Sequence, residues 1–162
     1  MLLTPHFSLG ELTTTSRRDT ADVDHDGDHN EILPNVPTDA ERAKLVKVCE
    51  MLEAVRAHFG RPIAVHSGYR SPAVNAAVGG SKTSQHMKAE AADFHVDGVP
   101  LVDVFDWIRR ESGLAFGQVI LEGANPATPT WIHLSLGEPY RDPSKCRQAM
   151  RWDAQHGYRV VG

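Results

Sequence analysis

Between positions 67 and 95 the chain reads Ser67-Gly-Tyr-Arg-Ser-Pro72, Ser84-Gln-His86 and Ala91-Ala-Asp-Phe-His95, and this stretch decides the fold. Residues 91–96 alternate. Phe94 and Val96 share one face, Asp93 and His95 the other, which is the period of a half-buried strand. The apolar pair belongs to a core, so the polar pair faces a cleft. His86 offers an imidazole, a common metal ligand, and Asp93 a hard oxygen that zinc accepts. The two stand too far apart for one helical turn, which fits a ligand on a loop followed by a ligand on a strand. A catalytic zinc takes three protein groups and a water, so a third ligand must come from elsewhere. His133 is the best candidate, in Thr130-Trp-Ile-His-Leu-Ser-Leu136. There Ile132, Leu134 and Leu136 point inward, while Trp131, His133 and Ser135 share the cleft face.

Outward from these strands, a further strand runs over residues 117–121 and ends at Glu122. Glu122 has the parity of Gln118 and Ile120; Val119 and Leu121 point the other way. A long helix is predicted from a cap at Thr38 or Asp39 to about Phe59, with Leu45, Val48, Cys49, Leu52, Val55 and Phe59 as its buried stripe and Gly60 as its stop. Residues 62–66 read as a strand, Ser71 as the cap of a short helix with Pro72 at its first position, and residues 99–112 as a helix burying Leu101, Val104, Phe105 and Ile108. Residues 6–12 form a docking element anchored by Phe7, Leu9 and Leu12. After Gly137 the chain turns polar and basic, and residues 137–162 are expected to be a weakly helical or extended tail. The expected fold class is α+β, a small antiparallel sheet with the zinc site on one face and helices on the other, in one domain spanning residues 1–162.

At 162 residues one domain is the natural expectation, and a chain of this size needs no disulfide staple. The net charge of −4 argues against nonspecific nucleic-acid binding, which needs Lys and Arg on phosphates. The two cysteines, Cys49 and Cys146, form no Cys-x-x-Cys pattern; Cys49 is expected to be a buried free thiol. No basic, apolar leader opens the chain and no apolar run is long enough to span a membrane. The expectation is synthesis in the cytoplasm without a signal peptide, no membrane insertion, and a monomer.

The motifs Ser67-Gly-Tyr-Arg-Ser-Pro72, Gly79-Gly-Ser-Lys-Thr-Ser-Gln-His86, Ala91-Ala-Asp-Phe94 and Trp131-Ile-His133 resemble the M15 family of zinc D-Ala-D-Ala carboxypeptidases and endolysins, nearest to its small phage-type subfamily, M15_3. His6-Phe-Ser-Leu-Gly-Glu-Leu12 is similar to that subfamily's start, and the resemblance covers roughly residues 6–136. It implies the M15 or hedgehog-like fold and one catalytic Zn2+ on His86, Asp93 and His133. The implied activity is cleavage of peptidoglycan stem peptides, either as a D-Ala-D-Ala carboxypeptidase or as an L-Ala-D-Glu type endopeptidase. The implied setting is a phage or prophage endolysin reaching the wall by holin-type release, or a virion-associated hydrolase.

By the same resemblance Arg70 is a substrate clamp or carbonyl polariser, with a buried structural salt bridge as its alternative. Zinc hydrolysis also needs a carboxylate that takes the water's proton and passes it to the leaving amine. Many M15 relatives carry that acid three positions before the last histidine, where this chain has Thr130. Glu122, at its strand end, is the expected replacement, with Glu90 as its rival. Ser84 contacts substrate or steadies the loop of His86. Tyr69 and Trp131 are expected as walls of the cleft, and His95 as a structural or substrate-contacting group. His6, His25, His29, His58 and His156 fit no pattern and read as surface residues. A non-catalytic, zinc-containing wall-binding or virion structural module is the other class of reading, kept open by Thr130. Asp22, Asp24, Asp26 and Asp28, with Gly27 at a turn, resemble the first half of a calcium loop. The twelfth position is Leu33 instead of an acid. Residues 22–31 are therefore either a solvated acidic loop or a Ca2+ site.

Overall fold

The computed structural model describes residues 1–17 and 31–162. The acidic stretch with Asp22, Asp24, Asp26 and Asp28, to which the calcium reading belongs, lies outside the described residues. The first helix, α1 (Leu9–Thr13), starts in a capping box: the Ser8 hydroxyl accepts from Glu11 N–H while the Glu11 carboxylate accepts from Ser8 N–H. The long helix α2 (Asp39–Phe59) repeats the device with Thr38 and Glu41, and Gly60 ends it in the left-handed region at φ 62°, where glycine carries no Cβ penalty. Its stripe of Leu45, Val48, Cys49, Leu52 and Val55 is buried. The short α3 (Pro72–Ala77) has Ser71 as cap and Pro72 in its first turn. The last helix, α4 (Leu101–Arg110), buries Val104, Phe105 and Ile108. His58 stacks on Trp107 at 4.1 Å between ring centroids, tying α2 to α4.

Six strands form one sheet: β1 (Ile63–Ser67), β2 (Ala91–Val96), β3 (Phe116–Glu122), β4 (Trp131–Leu136), β5 (Gln148–Asp153) and β6 (Gly157–Val160), in the order β1-β2-β4-β3-β5-β6. Every neighbouring pair is antiparallel except β3 and β5, which run parallel. The expected tail is therefore part of the sheet. Its β5–β6 hairpin closes on Asp153, whose buried carboxylate accepts from Gln155 N–H, His156 N–H, the His156 ring and Arg159.

One apolar cluster joins the inward row of Phe94, Val96, Val119, Leu121, Ile132 and Leu134 to the stripes of α2 and α4. Both long helices cover that face, and strand alternation sends Asp93, Gln118, Ile120, Glu122, His133 and Ser135 to the other. Register brings those together: Asp93 pairs with His133, and Ile120 with His133 from the far side. Among the described residues no helix is long and apolar enough to cross a membrane.

A candidate metal centre on the open face of the sheet

His86 does not sit on an irregular loop. It lies in a 3-10 turn, Gln85–Lys88, capped by the Ser84 hydroxyl, which accepts from His86 N–H at 3.3 Å. Ser84 thus steadies the ligand turn. The turn drops His86 over β2 and β4, where Asp93 and His133 stand side by side. All three side chains are buried, and their ligand atoms lie within 4.8 Å of one another. His86 Nε2 is 3.2 Å and His133 Nδ1 2.8 Å from the same oxygen, Asp93 Oδ1.

The tautomers follow from what the other ring nitrogens touch. His86 Nδ1 is 2.7 Å from the Gly68 carbonyl, which only accepts, so Nδ1 carries the hydrogen. His133 Nε2 is 2.8 Å from Gln85 Oε1. Gln85 is oriented by its amide nitrogen, which donates to Ser135 Oγ at 3.0 Å, so its oxygen faces the ring and His133 Nε2 carries the hydrogen. Both neutral imidazoles therefore turn a lone pair toward Asp93. Three lone-pair donors aimed at one point repel one another unless a cation sits among them or the rings take up second protons. Ligand atoms of a tetrahedral zinc at 2.0–2.2 Å sit about 3.4 Å apart; here the two nitrogens stand 3.2 and 2.8 Å from Asp93 Oδ1, and all three atoms lie within 4.8 Å of one another. The donor set fits a divalent ion, with each histidine held by the kind of outer hydrogen bond that metal-ligating histidines make. Burial alone would raise the Asp93 carboxyl; the two imidazoles outweigh it and hold the group well below the usual carboxylate range.

The cluster opens into a cleft of about 660 Å³, lined on one side by Arg70, Gly80, Ser81 and residues 83–86 and on the other by Gln118, Glu122, Arg141, Met150 and Tyr158. A second groove of about 470 Å³, with Thr14, Arg17, His66 and Trp131 in its walls, shares Arg70 and Asp93 with the first. Glu122 ends β3 opposite Trp131, and its Oε2 accepts from the indole N–H at 3.1 Å. Burial and the Asp93 charge push the Glu122 carboxyl above its usual value, against the lowering pull of His133, Trp131 and Arg70. Thr130, exposed, uses its backbone N–H to pair with the Glu122 carbonyl at 2.6 Å. Arg70 reaches toward Asp93 with Nη2 3.9 Å from Oδ2, and toward Asn75 with Nη1 3.5 Å from Oδ1; its Nε is buried without a partner among the described residues.

Other expected site residues lie elsewhere. Tyr69 is buried in the apolar cluster and lines neither groove. Glu90 is buried and bonded to Lys44 at 2.7 Å on the helix side, which removes it as the rival to Glu122. His95 bonds His66 at 2.7 Å and Asp97 at 3.1 Å near the β1 edge, outside the cleft. Three surface histidines have partners: His6 bonds Glu53, His58 stacks on Trp107 and His156 bonds Asp153. Gln85, Asn75, Arg141 and Tyr158 escaped the sequence reading. For Gln85 a signal was present, its place beside His86.

A family model described as Peptidase M15 matches residues 5–135. A comparison with curated proteins finds no match.

Proposed function

The chain belongs to the peptidase M15 family, and from that premise we propose that it is a zinc-dependent peptidase that cuts the stem peptides of peptidoglycan. The convergence of the His86, Asp93 and His133 lone pairs, in a cleft that also holds Glu122 and Arg70, carries the proposal. His86, Asp93 and His133 hold the ion. Zinc, when bound, polarises a carbonyl and brings the pKa of a water to about 7. Glu122 receives the proton from the attacking water and delivers it to the leaving amine. Burial and the Asp93 charge raise its carboxyl above its usual value, the direction that favours holding a proton long enough to pass it on. Glu122 reaches the cleft from the strand beside β4 and so takes over the work that Thr130 cannot do. Arg70, which lines the cleft beside the ligand cluster, binds the substrate's carbonyl or carboxylate oxygen. Trp131 holds the Glu122 carboxylate in place through its indole N–H.

We further propose that the enzyme acts as a phage or prophage endolysin, or on a virion, a reading supported by the subfamily resemblance of its motifs. Thr130 favours the rival, a wall-binding module without turnover. One experiment separates the two: digestion of defined muropeptides by the zinc-loaded chain, with products weighed by mass spectrometry. Cleavage that chelation stops and zinc restores is the expected result. Intact peptides after prolonged incubation with zinc-loaded protein would overturn the enzyme reading, and the masses of any products identify the bond.

A further inference from the structure

The wall of the cleft opposite Arg70 is completed by Arg141, Met150 and Tyr158, which lie beyond the 5–135 match, and among the described residues Arg141 is the one Lys or Arg on that wall. The side chain is held in place. Its Nε donates to the Lys145 carbonyl at 2.7 Å, and Nη2 donates to Gln148 Oε1 at 3.1 Å. That same oxygen accepts from Gln118 Nε2 at 3.1 Å, so the β3–β5 pair fixes the acceptor. The stem crosses Gly117, where a Cβ would come within 2.8 Å of Arg141 Cδ. Nη1 has no acceptor among the described residues. A guanidinium anchored by two bonds and turned to a cleft has lost most of its freedom already, so little more is lost when it grips a ligand. Its N–H groups match a carboxylate.

We propose that Arg141 forms a carboxylate subsite, which selects peptides carrying a free carboxyl group on the residue bound along the β3–β5 side of the cleft. This rests on the peptidase reading for its substrate class. Arg70 stands beside the metal ligands, whereas Arg141 belongs to the opposite wall and touches none of them. The two cations therefore serve different parts of one peptide: Arg70 the reacting end, Arg141 a carboxyl further along. Arg141 is a specificity-determining residue and takes no part in the bond-breaking step.

The test uses pairs of stem peptides that differ only in one carboxyl, free or as the carboxamide, with each carboxyl varied in turn. For one such pair the native chain is expected to show a KM at least about tenfold lower for the acid, the scale of one charge-assisted bond. R141A should abolish that preference, and R141K should keep part of it, because the ammonium keeps the charge and loses the fork. Equal KM for every pair in the native chain, or an unchanged preference in R141A, overturns the proposal. The same pairs titrated calorimetrically onto the metal-free chain and R141A give an answer independent of turnover. If the native chain cuts nothing yet R141A loses a preference in binding, the subsite stands and the peptidase reading falls. Absence of any acid preference in binding as well as cleavage overturns the subsite.

Discussion

Gln85 directs the lone pair of His133 without offering a ligand of its own. Replacing it by alanine frees the ring to flip or change tautomer, so Q85A is expected to bind zinc about 10- to 100-fold more weakly, measured by competition with a chromophoric chelator. Glu122 makes the opposite kind of prediction. E122Q should keep its zinc and lose turnover by about 10² or more; a variant with full activity would remove Glu122 from the mechanism. The pH dependence has a definite sign. The folded carboxyl sits above its unfolded value. Below the unfolded value, near 4.3, both states hold the proton and no penalty exists. As pH rises through the folded value, the folded chain takes on a charge that its surroundings disfavour, and that stability is lost. Metal-free E122Q should therefore melt higher than the native chain at pH 7, with the difference gone below about pH 4. The ligands, Glu122 and Arg70 could be nominated from the sequence because strand parity and motif spacing leave their mark in residue order. Gln85 leaves a fainter mark, its place beside His86, since an amide whose partner lies far along the chain follows no period.

At the scale of elements, Gly68 joins three parts. Its carbonyl orients His86, the next N–H, of Tyr69, donates to the Leu12 carbonyl at 2.7 Å, and a Cβ at Gly68 would lie 2.4 Å from that same carbonyl. G68A must push α1 off the turn and shift the acceptor of His86. The expected loss is about 1–3 kcal/mol in stability together with weaker zinc binding, read by denaturant unfolding with and without metal. The β5–β6 hairpin depends on Asp153. Burial alone would raise this carboxyl, but the His156 bonds and the Arg159 charge hold it below its usual value. Its contribution is present above the unfolded carboxylate value and fades as pH falls through the lower folded one. D153N should expose the β6 amides to faster hydrogen exchange at neutral pH, and the difference from the native chain should shrink in acid. The helices were readable beforehand because capping boxes and stripes are local. The hairpin was not: Gln148-Ala-Met-Arg-Trp-Asp153 has little β-branched content, and what makes it a strand is parallel pairing with β3, some thirty residues away.

For the molecule as a whole, an ion held by His86, Asp93 and His133 would tie a 3-10 turn to two strands, so binding and folding would be linked. Zinc at 100 times its Kd should add about 2.7 kcal/mol to stability, and a chelator should remove it. D93A should show neither effect. The sheet order has a further consequence. A chain cut after Gly137 retains all three ligands, Glu122 and the matched residues 5–135. It also strips the partner from β3, leaving the row Phe116-Gly-Gln-Val-Ile-Leu-Glu122 with its peptide groups bare along a long, apolar margin. Such a margin templates addition of another chain. The shortened protein is expected to self-associate edge to edge, seen as growing light scattering at concentrations where the intact chain stays clear.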